Sequence, residues 1–351
     1  MPSWLAIAGA LAAPADGLDL TGADPESDRG LLVPSVVAPP SLPAVTPEQL
    51  AIFHGTVAEA DDFPEVVGLG VFGLTLCTGV VITDRLILTA AHCAVDLPPE
   101  IALEVGSAFF GPTPQESQPI GLVNMWLHPD YVRLTTDGSG PYTLGEADVA
   151  LIELAEDAPA APVWFRTLPF DDDVLGEEVT SVGFGLAEDG SAHTKRHAVL
   201  TLDELSDWHL VSKASTNDER ASVCNGDSGG PKYGRNLDGE LEVWGVHSWV
   251  STNCKGESGS TRTDKVADWL LGLVHEVHGT TDVCELHARY DDGVCDRSCD
   301  RPDPDCPASH AVYGTPEQHQ AVASCASVPS TPSSVGWLLV GAALGLVRRR
   351  C

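Results

Sequence analysis

Cys224-Asn225-Gly226-Asp227-Ser228-Gly229-Gly230-Pro231 sets a single hydroxyl among three glycines. Glycine admits tight backbone turns and close approach by a second chain, the local geometry that a nucleophilic serine requires. A Gly-Ser run also suits an ordinary turn. What the segment means is therefore decided by residues upstream of it.

A serine hydroxyl is a poor nucleophile until a base takes its proton, and that base needs a carboxylate to fix its tautomer. Of the 12 histidines most must be surface or structural. His92 stands apart, in Leu88-Thr89-Ala90-Ala91-His92-Cys93 directly after the strand-like Arg85-Leu86-Ile87-Leu88. Asp148 heads the apolar run Val149-Ala150-Leu151-Ile152, where an acid is unusual unless a specific partner receives it.

Thr-Ala-Ala-His-Cys, Asp-Val-Ala-Leu-Ile and Gly-Asp-Ser-Gly-Gly-Pro, in that order, resemble the three signature segments of the trypsin/chymotrypsin-like serine proteases. The resemblance spans residues 52–279. It implies an all-β fold of two six-stranded antiparallel β-barrels with the active site between them, closed by a C-terminal α-helix. It implies that Ser228 attacks the scissile carbonyl, His92 shuttles the proton, Asp148 orients His92, and the N–H groups of Gly226 and Ser228 form the oxyanion hole. It implies disulfides Cys77–Cys93 and Cys224–Cys254, while Val179 and Gly234 occupy the positions of another frequent family disulfide. It implies protein or peptide substrates and no required cofactor.

Activation is implied as well. Ile52-Phe53-His54-Gly55 resembles the family's new N-terminus, whose freed amine would pair with Asp227; no Lys or Arg lies between Arg29 and Arg85, so the cut at Ala51–Ile52 needs an enzyme that accepts alanine. In the specificity pocket, Ser222 stands where basic-specific members carry an aspartate, and Ser248-Trp249-Val250 resembles the pocket wall, with Val250 narrowing the entrance. Small or medium apolar P1 residues are the expectation. A catalytically silent, protease-fold binding or adhesion module is the alternative, and the presence of all three signature residues argues against it.

Composition agrees with many short strands: Gly (34) and Pro (26) are plentiful among 351 residues and aromatics are few. Apolar runs at 66–76, 80–90, 101–105, 149–154, 179–185 and 241–250 read as strands. Val266, Trp269, Leu270, Leu273 and Val277 fall at helical spacing, with Thr263 or Asp264 as N-cap and Gly279 as stop. A net charge of −32 argues against a nucleic-acid partner, which needs a basic footprint.

Ten cysteines point to an oxidising, extracytoplasmic compartment. Residues 1–15 read as a signal peptide, an apolar run with a small-x-small site at Ala13-Pro14-Ala15 but no preceding Lys or Arg, and 16–51 as a pro-segment. Residues 281–306 hold Cys284, Cys295, Cys299 and Cys306, with six aspartates (Asp291, Asp292, Asp296, Asp300, Asp303 and Asp305) following Cys284. So short a segment needs two disulfides in one of three connectivities; zinc fits the spacing poorly, and calcium or a merely solvated loop are the two readings of the aspartates. After a linker at 307–334, the apolar run 335–347, shorter than the roughly 20 residues that span a bilayer as a helix unless the preceding Ser and Pro extend it, and Arg348-Arg349-Arg350-Cys351 read as a membrane or cell-surface anchor. With Cys325 and its Ser/Pro spacer, this end resembles the MYXO-CTERM sorting tails of myxobacterial surface proteins, from whose arginine ending Cys351 departs.

Overall fold

The computed structural model describes residues 52–95, 99–131, 146–213, 221–236, 239–251, 254–296 and 299–306. The signal, pro-segment, linker and anchor expectations lie outside these residues. Among the described residues no helix is long and apolar enough to cross a membrane.

The first half is a closed barrel. Its strands are β2 (Val66–Val71), β3 (Leu74–Val81), β4 (Leu86–Thr89), β5 (Gly106–Phe109), β6 (Pro119–Leu127) and β7 (Ala150–Leu154), preceded by the two-residue β1 (Thr56–Val57). They pair in the order β2-β3-β4-β7-β6-β5. The apolar run at 66–76 breaks into two strands because Phe72 and Gly73 both adopt positive φ (52° and 80°), the geometry of a tight two-residue hairpin turn. Helix α1 (Ala91–Val95) follows β4 directly.

The strand expected at 101–105 is instead helix α2 (Pro99–Val105). A short apolar run has no decisive period, and here Pro opens the helix while Glu, Ala and Leu favour it. The strand begins one residue later, at Gly106.

The second half differs from the expected six-stranded barrel. It comprises β8 (Glu178–Gly183), β9 (Arg196–Thr201), β10 (Glu204–Leu205), β11 (His209–Lys213), β12 (Pro231–Arg235), β13 (Leu241–Val250) and β14 (Glu257–Arg262). With β1 they form one eight-stranded sheet, ordered β1-β9-β8-β12-β13-β14-β11-β10. Closure would require β9 to pair with β11. Both approach within 8 Å, but β1 takes the free edge of β9 at 196–197 and β10 takes that of β11 at 210–211. A gap is left beside Val199, Leu200 and Thr201 on one side and Ser212 and Lys213 on the other, and it holds a cavity of about 220 Å³.

Helix α3 (Thr263–His278) closes the domain where the helical spacing predicts. Gly279 ends it in the left-handed conformation (φ 75°), but the N-cap is Arg262, with no side-chain cap. Thr263 and Asp264 are engaged elsewhere: Thr263 Oγ1 donates to the carbonyls of Val243 and Trp244, and Asp264 pairs with Arg262 at 2.6 Å. Val266, Leu270, Leu273 and Val274 of α3 share one core with Val66, Val80, Ile82 and Leu88 of the barrel and Val182, Phe184, Tyr233 and Val243 of the sheet. One apolar body thus fixes the two halves against each other.

The Cys-rich segment follows as α4 (Val283–Leu286), capped by Asp282 and stapled by disulfides Cys284–Cys299 and Cys295–Cys306. It packs on the domain formed by the barrel and the sheet: the His287 ring bonds the Ile82 carbonyl at 3.0 Å and meets Trp164 edge-on, and Arg289 pairs with Glu240 at 2.9 Å. Burial pushes His287 down to about 4, so this docked ring is neutral near pH 7.

Candidate active site

Three elements deliver the three signature side chains. His92 rides on α1, immediately past the barrel strand β4. Asp148 sits just before β7 in a tight turn, with Ala147 at φ 50° and the Val149 N–H donating to the Ala147 carbonyl. Ser228 lies in the turn between Cys224 and β12.

Asp148 is only 3% exposed and faces a peptide N–H, an imidazole nitrogen and a hydroxyl. Its Oδ1 accepts the His92 peptide N–H at 2.9 Å, and its Oδ2 bonds His92 Nδ1 at 2.8 Å. Ser248 donates its hydroxyl to the same Oδ2 at 2.6 Å. A carboxylate on Nδ1 fixes the proton there, leaving Nε2 with the lone pair that a general base needs. Ser248, assigned from sequence to a pocket wall, therefore also serves the carboxylate.

The serine turn is held from behind. Cys93, bridged to Cys77, has its Sγ 3.6 Å from the Ser228 carbonyl oxygen, which accepts the Thr78 N–H at 2.8 Å. The N–H groups of Asp227, Gly229 and Gly230 donate to the carbonyls of Cys224, His247 and Asp227. Among the described residues the N–H groups of Gly226 and Ser228 have no such acceptor. Two unengaged donors at and just before Ser228 are what a developing oxyanion would use. Gly229 has to be glycine: at φ 83°, an added Cβ would lie 2.1 Å from Thr89 Oγ1.

Asp227 is fully buried, accepting from the Gly185 and Cys224 N–H groups at 2.8 Å each. Burial pushes its carboxyl up to about 7, against those two hydrogen bonds and the charge of Arg196. Ile52 is fully buried, and Phe53 bridges to Ser222, whose N–H donates to the Phe53 carbonyl at 2.9 Å. Ser222 is 2% exposed, and Cys224–Cys254 ties the segment after it to the end of the β13 loop. Trp249 lies across Gly259, where an added Cβ would come within 2.2 Å of the indole, and Val250 pairs with Ser258.

The family model described as Trypsin matches residues 52–270, well over half of the chain. The chain belongs to the trypsin family. Among curated relatives of this trypsin-family protein, serine proteinase stubble of Drosophila melanogaster is 29% identical over 223 residues, covering 56% of this chain and 27% of the relative. Chymotrypsin-like elastase family member 3B of Macaca mulatta is 29% identical over 213 residues, 55% of this chain and 80% of the relative. CLIP domain-containing serine protease B15 of Anopheles gambiae is 26% identical over 222 residues, 55% of this chain and 60% of the relative. The chain thus spans between about a quarter and four-fifths of these relatives.

Trypsin-like proteases need no cofactor, and the Asp-rich segment is engaged internally. Asp282 accepts from Cys284 N–H, Tyr290 and Arg301; Asp296 pairs with Arg289; Asp303 accepts the Asp296 and Asp305 N–H groups; Asp305 accepts that of Gly293. Among the described residues no three of these carboxylates converge within ligand distance. The one cluster of metal-type side chains there, Cys77, His92 and Cys93, has its sulfurs joined as a disulfide.

Sequence reading missed Thr78, Lys232 and His247. Thr78 follows Cys77 with no signal of its own. Lys232, directly after the serine segment, looks like a surface residue in a strand, yet it is fully buried.

Proposed function

We propose that this trypsin-family protein is a serine endopeptidase, acting outside the cytoplasm on protein or peptide substrates and activated by a cut before Ile52. The carboxylate-held His92 beside a serine turn with two unengaged N–H donors carries this reading. In the reaction, His92 Nε2 takes the Ser228 proton as Oγ attacks the carbonyl, and Asp148 steadies the imidazolium. The Gly226 and Ser228 N–H groups receive the oxyanion. His92 then returns the proton to the leaving amine, and water repeats the sequence to release the acyl group.

Activation is read from Asp227. In the continuous chain the Ile52 nitrogen is an amide; once cut it becomes an ammonium suited to a buried carboxylate that otherwise has only N–H partners and Arg196 at a distance. Four disulfides among the described residues fit an oxidising compartment. Residues 335–351 would then hold the protein at a membrane or cell surface. Ser222 in place of a carboxylate argues against Arg or Lys at P1; taken by themselves, Ser222, Ser248 and Val250 form a neutral entrance that would suit Ala, Val or Leu.

A fluorophosphonate probe tests the reading. The chain cut before Ile52 is expected to be labelled at Ser228 and to hydrolyse peptides, and Ser228→Ala to lose both. Absence of labelling in the cut wild type would instead favour a silent binding module.

A further inference from the structure

The interior of the second sheet is unusually polar. Lys232 on β12 has no solvent exposure, and its Nζ donates to Ser212 Oγ at 2.8 Å. It stands opposite Ser181 and Gly245 on the neighbouring strands, and the Ser181 hydroxyl has no partner among the described residues. Nearby, His247 is 1% exposed; its Nδ1 bonds Ser260 Oγ at 2.9 Å and its Nε2 is unpartnered there.

An ammonium has three donors, and a buried one is strongly unfavourable without a carboxylate. Among the described residues Lys232 makes no ion pair, only the bond to a neutral hydroxyl. Burial pushes it down to about 7, with Asp203 acting on it from a distance. Lys213, on the rim of the cavity between β9 and β11, contrasts with it, being held by Glu204 at 3.1 Å and Glu257 at 3.4 Å.

Ser212 is also a wall of that cavity, so Lys232 Nζ lies one hydroxyl behind its surface, where an incoming anion would favour its protonated form. Ser222 and Ser258 line the same cavity, and Ser222 stands where the family resemblance puts the floor of the specificity pocket. Nothing in the Ser228 chemistry uses Lys232.

We propose that this cavity extends the specificity pocket past Ser222 and receives the side-chain carboxylate of a Glu or Asp at P1, bound by the Ser212 and Ser258 hydroxyls with Lys232 behind them. The proposal rests on the endopeptidase reading and names its substrate class. It replaces the apolar preference suggested by Ser222, Ser248 and Val250, none of which carries a charge.

The test uses the protein cut before Ile52 and p-nitroanilide peptides differing only at P1: Glu, Gln, Asp, Asn, Leu, Ala and Arg. Glu is expected to exceed its neutral isostere Gln by about tenfold or more in kcat/KM, a pure readout of charge. Lys232→Met is expected to bring that ratio toward unity, with fluorophosphonate labelling reporting whether the variant is folded. If it does not fold, the wild-type Glu/Gln ratio still decides.

Equal turnover of Glu and Gln, or best turnover on Leu, Ala or Arg, overturns the proposal while leaving the endopeptidase reading intact. Acetate that competes without any Glu preference would mark a free-anion site and overturn it too. Failure of both labelling and hydrolysis would remove the endopeptidase reading itself, and this proposal with it.

Discussion

The peptide N–H of Thr78 donates to the carbonyl of Ser228 at 2.8 Å, so Ser228, carried on a turn of the second sheet, is pinned to β3 of the barrel. The Thr78 side chain extends the connection. Its hydroxyl donates to the Gly226 carbonyl at 2.9 Å and accepts the Phe184 N–H at 3.1 Å, and its own carbonyl accepts the Thr89 hydroxyl at 2.8 Å. One threonine therefore sets where the two candidate oxyanion donors sit relative to His92.

Thr78→Val keeps the shape and the peptide bond to Ser228 but strands the Gly226 carbonyl and the Phe184 N–H. An unsatisfied buried partner costs about 1–3 kcal/mol. For a domain of this size each kcal/mol lowers Tm by roughly 2–4 °C. The expected result is a lower Tm together with a drop in kcat larger than any change in KM, because the Gly226 turn is freed. Calorimetry and steady-state kinetics on the cut protein check both.

Ser248→Ala removes the 2.6 Å hydroxyl bond to Asp148 Oδ2 and leaves the His92 contacts in place. Hydrogen bonds to charged groups are worth about 1.5–3 kcal/mol, so kcat is expected to fall about tenfold or more. Asp148→Asn, which presents the wrong hydrogen-bonding partner to Nδ1, is expected to cost about 10⁴ in kcat, as the same change does in the family's type enzyme. Unchanged kcat in Ser248→Ala would show that Asp148 is steadied by His92 alone.

Much of the candidate site was legible because its chemistry is local. His92, Asp148 and Ser228 each sit in a short motif whose neighbours set its geometry, and the closing helix shows its period over 16 residues. What escaped the sequence is what strands do at a distance. The run at 101–105 has no period long enough to separate helix from strand. Sheet closure hinges on whether β1 and β10, two residues each, occupy the edges of β9 and β11, which no local pattern announces. Lys232 and His247 were invisible for a related reason: alternation tells which residues share a face, but not that one interior face would be lined by serines, a lysine and a histidine.

Calcium removal provides a simple check on the segment at 281–306. Its carboxylates already hold N–H groups, Tyr290 and arginines, so EGTA is expected to leave Tm unchanged. Reducing the Cys284–Cys299 bridge, by contrast, should lower stability by about 2–4 kcal/mol, since it closes a loop of about 15 residues. A rise in Tm with added calcium would show that the aspartates rearrange around the ion.

The uncut protein should also carry a pH signature of its latch. Asp227 titrates near 7 in the folded chain because burial disfavours its charge, against an ordinary value of 3.8. The folded state then binds the proton more tightly than the unfolded state. This contribution to stability is fully present below about pH 4 and is lost as pH rises to about 7, by at most about 1.4 kcal/mol per pH unit. Asp227→Asn removes it, so the stability difference between wild type and variant should slope downward across that window in the uncut chain. After cleavage before Ile52, an ammonium beside the carboxylate draws its pKa back down and the slope should flatten. Chemical denaturation of both forms between pH 4 and 8 measures the two slopes; identical slopes before and after cleavage would mean that the new N-terminus does not reach Asp227.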